Sequence, residues 1–190
     1  MLKNLVFALL ISSLFAACSG DYTPKPRAFF RIDLPEKHYI SYNNPNCAYS
    51  FEVPDYAVVN PDDERKSEPC WLNVDFPKFK GRLHLSYKEI HNNLNAYMED
   101  SRGLAYKHTI KASAINEKLI HTSNNVVGIL YEIGGNTASS VQFFGTDSTK
   151  HFVRGSLYFY AVPQSDSIAP VLEFISKDIE HLINTLKWKN

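Results

Sequence analysis

From residue 49 onward the chain alternates apolar and polar residues with a period of two, broken by two stretches of helical period. Tyr49, Phe51 and Val53 alternate before Pro54, and Ala57-Val58-Val59 offers a short partner. Trp71–Phe76 and Arg82–Tyr87 read as two strands joined by Lys78-Phe79-Lys80-Gly81, a hairpin. Further strands are expected over Ser113–Ile120, Val126–Ile133 and Ala138–Phe144, with turns at Asn124-Asn125 and Gly134–Thr137. The clearest puts Val153, Leu157, Phe159 and Ala161 on one side and Arg154, Ser156, Tyr158 and Tyr160 on the other. Upstream, Phe30, Ile32 and Leu34 alternate with Arg31 and Asp33 before Pro35, which predicts a first strand from Ala28.

The helical period appears at Ile90, Leu94, Tyr97 and Met98, predicting a helix from near Glu89 that frays or ends at Gly103 or is carried further by Leu104-Ala105-Tyr106. It returns at Leu172, Ile175, Ile179, Leu182, Ile183 and Leu186. A polar loop over Pro163–Pro170 is expected to lead into this second helix. Pro170 then occupies its first turn, and Lys187 and Lys189 sit at its negative end. Seven or eight mostly consecutive strands with two main helices make an α+β fold. Its sheet is mainly antiparallel, with the helices expected on one side.

The N-terminus follows a different logic. Lys3, then an apolar run from Leu5 to Ala17, has the layout of a secretory signal over residues 1–17. The run is shorter than the ~20 apolar residues that span a bilayer. Leu14-Phe15-Ala16-Ala17-Cys18 resembles the bacterial lipobox, with Phe15 where leucine is commonest, and the resemblance implies that Cys18 carries lipid. A periplasmic protein cut nearby with a leftover cysteine is the plain alternative. Residues 18–27 then form a lipidated start and a proline-containing tether, with Pro24 and Pro26 favouring extended backbone. Residues 28–190 are expected to be one α+β domain.

Composition narrows the function. At 44% hydrophobic and 21% charged residues the chain can build a core, and Lys plus Arg equals Asp plus Glu at 20 each. No basic excess is available to a nucleic-acid partner. With Cys18 assigned to lipid, Cys47 and Cys70 are the remaining pair. An oxidising compartment would let them join and stabilise the chain by about 3 kcal/mol, two separate thiols being the alternative. Nucleophile elbows, zinc-binding helix motifs and phosphate-binding glycine loops are missing from the sequence. The seven histidines are scattered. The best polar cluster for a hydrolase or metalloenzyme is His108, Asp147 and His151, and a solvated role is the ordinary reading for each. No cofactor is expected.

Several long peptides carry a likeness: YTPKPR at Tyr22–Arg27, FRIDLPEK at Phe30–Lys37, EPCWLN at Glu68–Asn73, DFPKFKGR at Asp75–Arg82, EDSR at Glu99–Arg102, AYKHTIK at Ala105–Lys111, SSVQFF at Ser139–Phe144 and TDSTKHF at Thr146–Phe152. Together they resemble the GldD family of gliding-motility lipoproteins of the Bacteroidota. The resemblance implies an envelope lipoprotein needed for gliding, without enzymatic activity, working beside the type IX secretion apparatus. Its expected partners are the membrane, through Cys18, and other motility or secretion proteins of the envelope. The periplasmic face of the outer membrane is favoured over the inner membrane. The pattern is also similar to the PsbP/Mog1 type of α/β/α sandwich. For protein contact the candidates are the tether residues Pro24, Lys25, Pro26 and Arg27, the turn Lys78, Phe79 and Lys80, and the corner Tyr106, Lys107 and His108, since aromatics beside long cations suit interfaces. Phe79 has a competing reading as an aromatic tucked under its loop. A carrier of a small ligand or lipid is the remaining alternative function.

Overall fold

Residues 32–160 and 165–189 are described by the computed structural model. In chain order they form β1 (Tyr39–Tyr42), β2 (Tyr49–Pro54), β3 (Val58–Pro61), β4 (Leu72–Phe76), β5 (Gly81–Glu89), α1 (Leu94–Tyr106), β6 (Ala112–His121), β7 (Val127–Gly135), β8 (Ser139–Thr146), β9 (His151–Phe159), α2 (Ser165–Thr185) and β10 (Lys187–Trp188). A large sheet has the order β3-β4-β5-β9-β8-β7-β6 and a small one the order β1-β2-β10. All their pairings are antiparallel.

Alternation along the strands separates two cores. Val74, Leu83, Leu85, Val141, Phe143, Val153 and Leu157 point to one face, where they meet the α2 stripe of Ile175, Ile179, Leu182, Ile183 and Leu186 and the inward residues of β2. Fully burying one such aliphatic side chain stabilises by about 1.5–3 kcal/mol, so this face is the main source of stability. Gly155 on β9 makes room there: a Cβ at this position would come within 2.1 Å of the Phe143 ring. Tyr131, Ile133, Phe144 and Phe152 point to the opposite face, where Ala105 and the partly buried Leu94, Tyr97 and Met98 of α1 cover them.

The two helices therefore lie on opposite faces of the large sheet, not on one side as the alternation suggested. The periodicity identifies an amphipathic helix but carries no sign saying which sheet face it will cover.

Other boundaries differ for local reasons. The helix expected from Glu89 begins at Leu94, because Glu89 is the last rung of β5, opposite His151. Asn92, with φ of 60°, then turns the chain, and Asn93 Oδ1 accepts the His91 N–H at 2.8 Å. Ile32–Leu34 form no strand, and residues 28–31 of that expected strand lie outside the described residues. The α2 helix starts at Ser165 within the expected polar loop, and Pro170 lies inside it, not in its first turn. At the other end α2 stops at Thr185, and Lys187 belongs to β10, paired with Ser50 instead of capping the helix.

Cys47 and Cys70 are joined by a disulfide, with Cα atoms 5.5 Å apart. It links the turn before β2 to the turn before β4 and so ties the small sheet to the edge of the large one.

Candidate functional site

Register assembles what the sequence scatters. Across the large sheet Asn60 stands opposite Asn73, Asn73 opposite His84, His84 opposite Ser156, Ser156 opposite Gln142, Gln142 opposite Tyr131, and Tyr131 opposite Glu117. One rung on every strand is thus polar, on the face that carries α1. The helix covers the row only in part. Over β4, β5 and β9 it leaves a cleft of about 490 Å³, with Tyr97, Asp100, Ser101 and Leu104 of α1 as one wall.

The polar row, of which Asn73 and Ser156 line the cleft, is incompletely hydrogen-bonded among the described residues. Asn73, Gln142 and Ser156 are each only 2% exposed. Among the described residues Asn73 Oδ1, Gln142 Nε2 and Ser156 Oγ have no hydrogen-bond partner, and the fourth such buried atom, Tyr131 OH, belongs to the same row. Native proteins seldom leave buried polar atoms unpaired, because each costs about 1–3 kcal/mol. Four in one row mark a place arranged for something other than stability.

Charged neighbours orient the two amides. Asn73 Nδ2 donates to Asp62 Oδ1 at 3.1 Å, which leaves its oxygen as the unused acceptor. Gln142 Oε1 accepts from Arg154 Nη2 at 2.8 Å, which leaves its amide N–H groups as the unused donors. Burial pushes the Arg154 guanidinium below its ordinary range, opposed by the Tyr158 phenol and Asp100. Even so an arginine stays charged at any physiological pH, and no carboxylate among the described residues forms an ion pair with it. Burial also lowers His84, with Arg82 adding to the effect, so its imidazole is biased to the neutral form. Lys88 is engaged by Glu68 and lies over the Trp71 ring.

Chemically the cleft offers a guanidinium, an amide, a hydroxyl and a neutral-biased imidazole for hydrogen bonding. Ser156 and His84 face each other across the ladder, but the Ser156 oxygen bonds to no base.

A second polar cluster lies on the other face. Asp178 of α2 is 1% exposed, yet its carboxylate receives Lys37 Nζ, Tyr39 OH and Tyr56 OH. Burial and the Asp178 carboxylate push the Tyr39 phenol up to about 12. Lys37 Nζ also donates to Phe174 O at 2.8 Å and sits over the Phe174 ring. All the members have partners, so the cluster clasps the segment before β1 to α2.

The residues singled out in the sequence are dispersed. Cys18 and Pro24–Arg27 lie outside the described residues. Phe79 is tucked in, its ring against Tyr56 and Phe174 on the α2 side, leaving Lys78 and Lys80 at the turn without a displayed aromatic. Tyr106, with Lys107 and His108, lies at the end of α1, on the other face of the sheet; its hydroxyl donates to Glu117 Oε1. The turn and the corner therefore do not form one surface.

Nor do His108, Asp147 and His151 form one site. His151 is bonded to the Tyr87 hydroxyl at 2.7 Å and stacked on Trp188 on the α2 side. His108 sits in the turn after α1, lowered by burial and by Arg154. Asp147 closes the β8–β9 hairpin: its Oδ1 accepts the N–H groups of Thr149, Lys150 and His151. Burial alone would raise its carboxyl, but those N–H groups prevail and hold it below the ordinary range. Among the described residues no three His, Cys, Asp or Glu side chains converge as a metal site.

Sequence reasoning passed over Asn73, His84, Gln142, Arg154 and Ser156. The available signal was a polar residue between apolar ones on successive strands, as in Gln142 between Val141 and Phe143.

Among the described residues no helix is long and apolar enough to cross a membrane. A comparison with solved structures finds a likeness to the solution structure of cyanobacterial PsbP (CyanoP) from Synechocystis sp. PCC 6803. The TM-score is 0.44 and the identity 11%, over 82% of this chain and 98% of that one. No curated protein matches the sequence. A family model described as gliding motility lipoprotein GldD matches residues 19–188, beginning one residue after Cys18. That match takes in the row, the cleft and the Asp178 clasp alike, and the chain belongs to the GldD family of gliding motility lipoproteins.

Proposed function

We propose that this chain is a non-catalytic binding and assembly component of the gliding and type IX secretion machinery, held by lipid on Cys18 at the periplasmic face of the outer membrane. The observation that carries the reading is the family match over residues 19–188, which makes this an envelope-associated lipoprotein with a part in gliding. A contact role is supported by the edge of the large sheet. The outer edge of β6 pairs with no other strand among the described residues. Its Leu119 is 88% exposed, and Ile110 just before it is 94% exposed. An unpaired edge with protruding apolar side chains is a template for adding a partner's strand.

Photo-crosslinkers at positions 106 and 119, placed in living cells, should trap other envelope proteins, and Cys18→Ser should release the chain from the membrane fraction and stop gliding. Clean lanes at both positions, or normal gliding by the released chain, would count against the proposal. Full gliding by a folded variant with His108, Asp147 and His151 replaced by alanine would dismiss a hydrolytic role for these residues.

A further inference from the structure

The cleft on the α1 face has two chemically different ends. At the β9 end stands the Arg154 guanidinium, which donates to Gln142 Oε1 and feels the Asp100 carboxylate of the α1 wall. At the β4 end stand the unused Asn73 oxygen and the carboxylates of Asp62 and Glu64, all acceptors. Both amide orientations are fixed by charged partners, so this polarity is built into the row. Between the ends lie Ser156 and a neutral-biased His84, which suit uncharged polar groups.

A multiply charged anion such as phosphate suits the donor end but meets acidic groups at the other. A ligand with one carboxylate and one ammonium satisfies both. β4 and β9 are separated by β5 alone, so their backbones lie about 10 Å apart. An extended tripeptide spans about that length. At about 490 Å³ the cleft is also within the usual range for small-ligand sites.

We propose that this cleft binds a short zwitterionic peptide, its C-terminal carboxylate on Arg154 and its N-terminal ammonium toward Asn73 Oδ1, Asp62 and Glu64. Ser156 Oγ meets a peptide group between them. The inference does not rest on the assembly role, since it concerns a small ligand on the α1 face and not the β6 edge.

The test uses the full mature lipidated protein in detergent micelles, titrated with trialanine and followed by calorimetry and by NMR of the arginine and glutamine side chains. Trialanine should bind and shift the Arg154 and Gln142 signals. Its C-terminal amide and its N-acetyl derivative should each bind at least about tenfold more weakly. Arg154→Gln should reproduce the loss seen with the amide, and Arg154→Lys, which keeps the charge without the fork, should fall between. The wild-type ligand series decides the matter even where a variant fails to fold. Absence of trialanine binding into the millimolar range, equal binding of all three peptides, or inorganic phosphate binding as tightly as trialanine would each overturn the proposal.

Discussion

The two faces of the large sheet treat buried polar groups in opposite ways. On the α2 face, Asp178 is almost fully buried and its carboxylate is satisfied by an ammonium and two phenols. On the α1 face Asn73, Gln142, Ser156 and Tyr131 are equally buried, yet each keeps an atom without a partner. Satisfied, such a cluster locks elements together. Unsatisfied, it lowers stability instead. The difference makes the α2 face the one whose buried polar groups hold the fold together, and the α1 face the one whose buried polar groups do not.

Substitutions should therefore differ in sign between the faces. The largest effect is expected for Asp178→Ala, which strands Lys37 and the hydroxyls of Tyr39 and Tyr56. About 3–5 kcal/mol of stability should be lost in urea unfolding. A loss under about 1 kcal/mol would erase the contrast. Next, replacing Cys47 and Cys70 by serine should cost about 3 kcal/mol, since the bond closes a loop of 23 residues on the α2 side. Reductant should lower the melting temperature of the native protein and leave that of the variant unchanged.

Asp147→Ala, at the hairpin between the faces, should cost about 1 kcal/mol at neutral pH by removing the acceptor of three backbone N–H groups. Its carboxyl lies lower in the folded chain than in the unfolded one. That stabilisation is complete above the ordinary carboxylate range and is lost as pH falls through the folded value. The gap between native and variant melting temperatures should thus close on acidification, and a gap that widened in acid would contradict this. The smallest change is expected for Tyr131→Phe, which deletes one unpartnered hydroxyl without altering shape. Stability should hold or rise by up to about 1 kcal/mol. A clear loss would show that the row on the α1 face is satisfied after all and that the faces do not differ.

Much of the fold was legible because period alone carries it. The stripe from Leu172 to Leu186, the alternation through β9 and the turn at Asn124-Asn125 required no knowledge of neighbours. The short strands β1 and β10 were not legible. Four and two residues long, they are too brief for periodicity and exist because β2 offers them a ladder on each side. Phe79 shows the limit for single residues: flanked by lysines in the chain, it could be displayed or tucked under its loop, and the choice is made by Tyr56 and Phe174, far away in sequence. The cleft was invisible for the same reason. Gln142 and Arg154 can be marked as polar residues in apolar strands, but their contact depends on how β8 and β9 are registered.

Local order along the chain determined the strands, the two helices and the peptides that identify the family, since each depends on residues near one another in sequence. Tertiary structure decided which face each helix covers, that Asp178 is fully met and that Asn73, Gln142 and Ser156 are not. The physical reason is the ladder: a side chain's partners across a sheet are set by strand order and register, and these are long-range choices that no local pattern contains.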